Sequence, residues 1–288
     1  MTDGLLVIDK PSGMTSHDVV DVIRKRLKTK KVGHAGTLDP DATGLLLLGV
    51  GRATRFLAYA QESSKRYLAT ARFGTSTSTQ DASGEVLSTR PCSFSADELH
   101  RALEKFTGAI EQIPPMVSAV KIDGERLHAK ARRGEEVDRP ARPVTIYDLT
   151  LIALRDGPMP EADLDVRCSS GTYVRTLIND VGEALGCGAH MATLRRVETG
   201  GFSIDEATPL DTVGAEHLLP LAEAVRVLPA VELTEDQAAD VSFGRKLPAT
   251  ITPDLPEDGL VALKAEGNLV AVYKRSGDLI AADRVVPA

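Results

Sequence analysis

Apolar positions along the chain fall into short strands and amphipathic helices. Leu5-Leu6-Val7-Ile8 is an apolar run of strand length, followed by a turn at Asp9-Lys10-Pro11-Ser12-Gly13. Val19, Val20, Ile23 and Leu27 then recur at helical spacing, with Ser16 as the expected cap and Arg24, Lys25 and Lys28 on the opposite face. The run at 45–50 predicts a buried strand and 53–60 a short helix. Residues 65–73 alternate, with Tyr67, Ala69, Ala71 and Phe73 on one side, so they read as a strand. Residues 75–84 read as a polar loop, and 95–106 as a helix capped by Ser95 that turns Leu99, Leu103 and Phe106 inward.

The texture changes between 113 and 142. Pro114-Pro115, Asp123-Gly124 and Pro140 interrupt it, while Lys121, Arg126, Lys130, Arg132, Arg133, Arg139 and Arg142 make it basic. A projecting hairpin and a short basic helix fit this pattern. Strands follow at 144–154 and 163–168. A helix then begins at Gly171-Thr172, buries Val174, Leu177, Ile178, Val181 and Leu185, and ends at Gly186. Another strand is expected within 192–202. Past about 228 a helix at 234–243 leads to strands at 260–264, 269–274 and 279–282, separated by Glu266-Gly267-Asn268 and Ser276-Gly277-Asp278. The pattern is α+β, with a main domain at 1–227 and a small β-rich domain at 228–288.

Composition narrows the classes. The 288 residues are 42% hydrophobic and 26% charged, as in an ordinary globular protein. No apolar run approaches the roughly 20 residues of a membrane helix, and the apolar run at 4–8 is too short for a signal peptide. Cys92, Cys168 and Cys187 are too widely spaced for a zinc motif or a disulfide framework, so a cytoplasmic location is expected. The net charge of −7 would disfavour nucleic acid, but the charge is unevenly distributed. Residues 10–72 hold twelve basic and five acidic side chains, a balance of +7, whereas 200–288 hold seven basic and fifteen acidic, a balance of −8. Screening acts over roughly 8 Å at physiological salt, so a polyanion responds to the local basic patch.

Candidate chemistry centres on Gly33-His34-Ala35-Gly36-Thr37-Leu38-Asp39-Pro40-Asp41-Ala42-Thr43-Gly44. Its glycines permit unusual backbone angles, and Pro40 drives Asp39 towards an extended conformation. A carboxylate is thus carried on a stiffened loop between the basic run at 24–31 and the apolar run at 45–50. A bare Asp-Pro is most often a turn aspartate bonding its own backbone; here the alternative is a nucleophile or base. His34, Asp39 and Asp41 also admit a metal reading, which ranks lower because no further ligand lies at suitable spacing nearby. No Gly-Lys-Ser/Thr follows, so the loop is not a P-loop.

This dodecamer resembles the catalytic loop of the TruB family of pseudouridine synthases, and the resemblance extends over about residues 4–205. It implies that Asp39 is the catalytic aspartate and that His34 fills the space vacated by the target base. Within Lys65-Arg66-Tyr67, Tyr67 matches the tyrosine that stacks on the flipped uracil. Within Gly171-Thr172-Tyr173-Val174-Arg175, Tyr173 matches a substrate-contacting tyrosine and Arg175 the arginine paired with the aspartate. Leu194, in Ala192-Thr193-Leu194-Arg195-Arg196, matches a leucine contacting the base. Lys10 and Pro11 match the N-terminal motif that supports the loop. Residues 122–128 resemble the family's RNA-gripping insertion, with His128 replacing its usual tyrosine.

The fold so implied is α+β: a mixed sheet with an RNA-binding cleft, an inserted thumb at about 113–142 and a PUA-like C-terminal domain. The implied activity is isomerisation of uridine to pseudouridine at position 55, in the T-loop of tRNA, by an aspartate nucleophile with base flipping. The expected protein is a monomer acting on the tRNA T-arm, with no cofactor, metal, membrane or guide RNA. Arg24, Lys28, Lys30, Lys31, Lys121, Arg126, Lys130 and Arg132 are the candidate contacts to the RNA backbone. The competing readings are a non-catalytic tRNA-binding or RNA-folding module, which would not need Asp39, and a guide-RNA-dependent pseudouridine synthase, which usually carries basic tails where this chain is acidic. A carboxylate hydrolase would want a second catalytic carboxylate. For the acidic C-terminal domain, an RNA-binding appendage and a stabilising cap remain equal alternatives.

Overall fold

The computed structural model describes residues 3–116, 118, 121–122, 125–126, 133 and 137–287. They divide into two compact units, one made of Met1–Ser63 with Glu198–Ala288 and the other of Ser64–Val197.

The first unit starts with β1 (Gly4–Lys10), α1 (Ser16–Arg26), β2 (Val32–His34), β3 (Thr43–Val50), a 3-10 turn at Gly51–Arg55 and α2 (Leu57–Glu62). β3 lies antiparallel to β1, from Gly4 opposite Val50 to Lys10 opposite Gly44, and is also antiparallel to β2. The unbroken leucine run of β3 is explained by burial on both faces. Leu45 and Leu47 join a cluster with Leu5, Val7 and Phe56, while Leu46 and Leu48 pack with Val19, Val20 and Ile23 of α1. Helix α1 corrects one expectation. Thr15, not Ser16, is its N-cap: the Thr15 hydroxyl accepts from the Asp18 amide (3.1 Å), and the Asp18 carboxylate accepts from the Thr15 amide (2.8 Å). The reciprocal pair satisfies two amides that the first turn would otherwise leave without partners, and it frees the Ser16 hydroxyl for another contact.

The second unit holds β4 (Lys65–Phe73), β5 (Thr75–Thr77), β6 (Val86–Thr89), α3 (Ala96–Lys105), β7 (Gly108–Gln112), β8 (Lys121–Ile122), β9 (Glu125–Arg126), β10 (Arg142–Arg155), β11 (Glu161–Cys168), α4 (Val174–Ala184) and most of β12 (Ala189–Thr199). Its sheet runs β12-β4-β11-β10-β7. Tyr67, Ala69, Ala71 and Phe73 are buried on one face of β4, as the alternation predicts. The other face pairs Arg66 with Asp165 and Arg72 with Glu161 across to β11.

The segment 75–84 is not wholly loop. Thr75, Ser76 and Thr77 form a buried strand against β6. Their polarity is tolerated because it is bonded: the Thr77 hydroxyl donates to the Asp81 carbonyl (2.7 Å), and the Thr75 carbonyl meets His190 Nδ1 (2.9 Å). The inserted segment leaves from the β7–β10 pair, where Gln112 lies opposite Arg142. Arg139 donates to the Pro114 carbonyl at its neck (3.0 Å), and β8 and β9 make the expected hairpin. The helix expected after that hairpin lies outside the described residues.

The chain then returns to the first unit. β13 (Phe202–Ser203) pairs with the end of β12, and β14 (Thr208–Pro209) runs parallel to β1, making that sheet mixed. Next come β15 (Ala230–Glu232), α5 (Glu235–Ser242), β16 (Leu247–Pro248), β17 (Leu260–Ala265), β18 (Asn268–Ser276) and β19 (Leu279–Val285), with the five strands ordered β15-β17-β18-β19-β16. The compositional break near 228 therefore coincides with the start of this sheet, not with a boundary between the two units. Leu233, Val241, Leu263, Tyr273 and Ile280 form its own core. Ala262, Leu269 and Val272 extend the cluster of Leu5, Val7, Leu45 and Leu47. Polar ties reinforce this packing: the Tyr59 hydroxyl donates to the Asp283 carboxylate, and Arg52 Nη1 donates to the Pro287 carbonyl (2.8 Å). Among the described residues no helix is long and apolar enough to cross a membrane.

Candidate active site

The loop singled out in the sequence leaves the first unit's sheet after His34, whose backbone pairs with Leu48, and rejoins it at Thr43. Within it, Asp39-Pro40-Asp41-Ala42 is a turn closed by the Ala42 amide on the Asp39 carbonyl (3.1 Å). Gly36 and Gly44 take φ of 91° and 98°, angles that side chains with a Cβ avoid.

Lys10 and Ser16 fix the loop from outside it. Lys10, at the end of β1, is fully buried, and its ammonium donates to the carbonyls of Pro11 (2.9 Å), Pro40 (3.0 Å) and Ala42 (2.6 Å). An ammonium has three donors, and these three acceptors offset much of its desolvation. The Ser16 hydroxyl, released from capping, accepts from the Leu38 amide (2.9 Å) and sits 3.2 Å from the Leu38 carbonyl, to which it donates. The Gly13 amide adds a bond to the Pro40 carbonyl (3.0 Å). Ala35, Leu38 and Ala42 are buried, whereas Asp39 and His34 are half-buried and Pro11, Pro40 and Asp41 are exposed. The loop is thus anchored through its backbone and apolar side chains, and Asp39 retains access to solvent.

The remaining candidates lie in the second unit. Tyr67 is on the inward face of β4 and 7% exposed. Tyr173 is half-buried and immediately precedes α4. Arg175, in the first turn of α4, is buried and donates from Nη1 to Asp81 Oδ2 (3.0 Å) and the Thr79 carbonyl (3.5 Å). Asp81 also accepts from the hydroxyls of Thr79 (2.7 Å) and Ser83 (2.6 Å) and the Ser83 amide (3.0 Å). Burial opposes ionisation of Asp81, but these bonds and the Arg175 charge outweigh it and hold the carboxyl below its ordinary range. Leu194 is half-buried on β12.

Lys10, Pro11, His34 and Asp39 therefore belong to the first unit, and Tyr67, Tyr173, Arg175 and Leu194 to the second. Asp81 and Gln112, which bonds Tyr173, were not singled out by the sequence reading. Thr79-Gln80-Asp81-Ala82-Ser83 carries a signal in retrospect, since a hydroxyl two residues either side of an aspartate suits a side-chain-bonded turn.

Among the candidate RNA contacts, Arg24 is drawn into the scaffold by Asp21 (3.1 Å) and the Val32 carbonyl (3.0 Å), while Lys28, Lys30 and Lys31 are exposed. Lys121 and Arg126 lie on β8 and β9, but their side chains, like Lys130, Arg132 and His128, are outside the described residues. Among the described residues no group of three or more His, Cys, Asp and Glu is arranged to hold a metal ion.

Comparison with known proteins gives consistent matches. Residues 24–174 match the N-terminal domain of the TruB family of pseudouridylate synthases, and 175–226 match the tRNA pseudouridylate synthase B C-terminal domain. A tRNA pseudouridine synthase B from Arthrobacter sp. (strain FB24) is 44% identical over 96% of this chain and 94% of its own. One from Corynebacterium aurimucosum is 45% identical over the same shares. Among solved structures, a Cbf5-Nop10-Gar1 complex aligns with a TM-score of 0.77 at 27% identity, over 99% of this chain and 85% of the matched one. The observed architecture is accordingly a pseudouridine synthase fold with a β-rich C-terminal domain.

Two outcomes follow from the geometry. Lys10→Met should cost about 1–3 kcal/mol, chiefly because the buried contact to the Ala42 carbonyl is lost, whereas the Pro11 and Pro40 contacts are part-buried and Pro40 keeps the Gly13 amide; urea unfolding measures it. For Asp81 the folded pKa is depressed, so its stabilisation is present above the unfolded carboxyl value and is lost as pH falls through the folded one. The stability gap between the wild type and Asp81→Asn should therefore narrow on acidification from pH 5, as followed by denaturant titration at several pH values.

Proposed function

Since the chain belongs to the TruB family of pseudouridylate synthases and isomerises uridine to pseudouridine in tRNA, we propose that it acts at position 55 of the T-loop, with Asp39 as the attacking carboxylate and without a guide RNA. The observation that carries this reading is the Asp39 turn itself, bolted by Lys10 and Ser16 while Asp39 stays only half-buried.

The reaction breaks the bond from C1′ of the ribose to N1 of uracil and makes one from C1′ to C5, with loss of the C5 proton and gain of one at N1. Attack on the sugar or on the base makes the same demand, an ionised oxygen held in place. The target must leave the RNA stack, at a cost of a few kcal/mol. Tyr67 offsets part of that cost, since stacking a base on an aromatic ring is worth roughly 1–3 kcal/mol. His34 takes the room that the base gives up, and Tyr173 and Leu194 bracket the extruded uracil. Arg175 contributes the positive charge that keeps a partly desolvated carboxylate ionised. Lys10 and Pro11 support the loop.

Lys28, Lys30, Lys31 and the basic residues of the insertion, Lys121, Arg126, Lys130 and Arg132, follow the phosphates of the T-arm, while Arg24 stays tied to Asp21 and the Val32 carbonyl. Catalysis resides in residues 1–227, with 228–288 as the small C-terminal domain. The protein acts as a monomer on cytoplasmic tRNA. The acidic character of the C-terminal residues favours independence from a guide RNA, because they offer little positive charge to hold one.

Asp39→Asn should abolish pseudouridine formation on an unmodified tRNA transcript while changing tRNA affinity by less than about tenfold, roughly 1.4 kcal/mol. Turnover retained in that variant would defeat the assignment. Replacing Lys28, Lys30 and Lys31 with glutamine should flatten the salt dependence of tRNA binding, by about one unit of slope for each phosphate no longer neutralised. A filter-binding titration across salt concentrations would expose a run that touches no phosphate, through an unchanged slope.

A further inference from the structure

We infer that Gln112 is a positioning residue for the reaction, acting through Tyr173. The inference rests on the reading of Tyr173 as a substrate-contacting residue. Gln112 is the last residue of β7 and 2% exposed, so its amide has little water to turn to. Both ends of that amide are spent on one residue. Gln112 Nε2 donates to the Tyr173 carbonyl (3.0 Å), and Gln112 Oε1 accepts from the Tyr173 amide (2.8 Å). The pairing imitates a rung of a β-ladder and holds the Tyr173 peptide groups in one orientation.

The site needs such a clamp. Tyr173 is the N-cap of α4 but makes no side-chain cap bond, and it sits in an extended conformation at φ −101° and ψ 104°. Two residues earlier Gly171 takes φ of +82°, with nothing within 4 Å of where a Cβ would project. The approach to α4 is therefore permissive, and the clamp adds to the bond from the Leu177 amide to the Tyr173 carbonyl (3.1 Å) in fixing the direction of the tyrosine's Cα–Cβ bond. Gln112 also stands opposite Arg142, so it occupies the strand pair from which the inserted segment departs. One side chain thus couples the root of the insertion to the aromatic that meets the base.

The test is a double-mutant cycle read by single-turnover pseudouridine formation on an unmodified tRNA transcript, with tRNA binding measured separately. Gln112→Leu should slow the single-turnover rate by at least about tenfold while tRNA Kd changes by less than about threefold. In a Tyr173→Ala background the same substitution should change the rate by less than about twofold, because the residue it acts through is gone. Losses that multiply in the double variant, or a wild-type rate in Gln112→Leu, would overturn the inference. If thermal melts show that Gln112→Leu does not fold, Gln112→Glu replaces it in the cycle, since it keeps the acceptor for the Tyr173 amide and loses the donor to its carbonyl. A wild-type rate in Tyr173→Ala alone would remove the tyrosine's substrate role and this inference together, and would be distinguishable because no Gln112 variant enters that comparison.

Discussion

A single ammonium group sets the shape of the candidate loop. Lys10 reaches the Pro40 and Ala42 carbonyls from the end of β1, and no side chain with fewer donors could serve both of them and Pro11 at once. The bond geometry explains why the loop can be glycine-rich and yet fixed. Gly36 and Gly44 provide the angles, and Lys10 and Ser16 remove the freedom those angles bring. Rigidity in this loop therefore comes from buried polar contacts to its backbone, and Asp39 stays half-buried.

The second unit applies the same economy to charge. Arg175 is buried, so its position is set by the acceptors around it, Asp81 and the Thr79 carbonyl. Asp81 is held in turn by Thr79 and Ser83. A guanidinium with a fixed anionic partner keeps a defined orientation. Gln112 does for the Tyr173 backbone what Asp81 does for the Arg175 side chain.

Elements whose pattern is local were legible in the sequence. β4 spans Lys65–Phe73 as the strict alternation requires, and α3 begins after Ser95 with a capping box completed by Glu98. The choice between Thr15 and Ser16 turned on Asp18, which lies three residues after Thr15 and so completes the box with it. β5 was missed because its residues are polar, and their bonding partners are supplied by tertiary structure: His190 lies 115 residues from Thr75. The candidate site divides in the same way. Asp39 stood out from its glycines and Pro40, but those residues alone could not separate a turn aspartate from a nucleophile; the nucleophile reading rests on the family resemblance. Gln112 and Asp81 stayed hidden because their partners are 61 and 94 residues away.

The composite first unit has a bearing on how the protein is made. β1 and β3 are translated before Ser64–Val197, yet the cluster around Leu5, Val7, Leu45 and Leu47 is completed only by Val225, Ala262, Leu269 and Val272. At roughly 5–20 residues per second, the nascent leucine run waits on the order of ten to forty seconds for its last neighbours. During that interval Ser64–Val197 is synthesised whole and can collapse first, so the segment that bears the candidate loop, although translated before it, is among the last to reach its final packing.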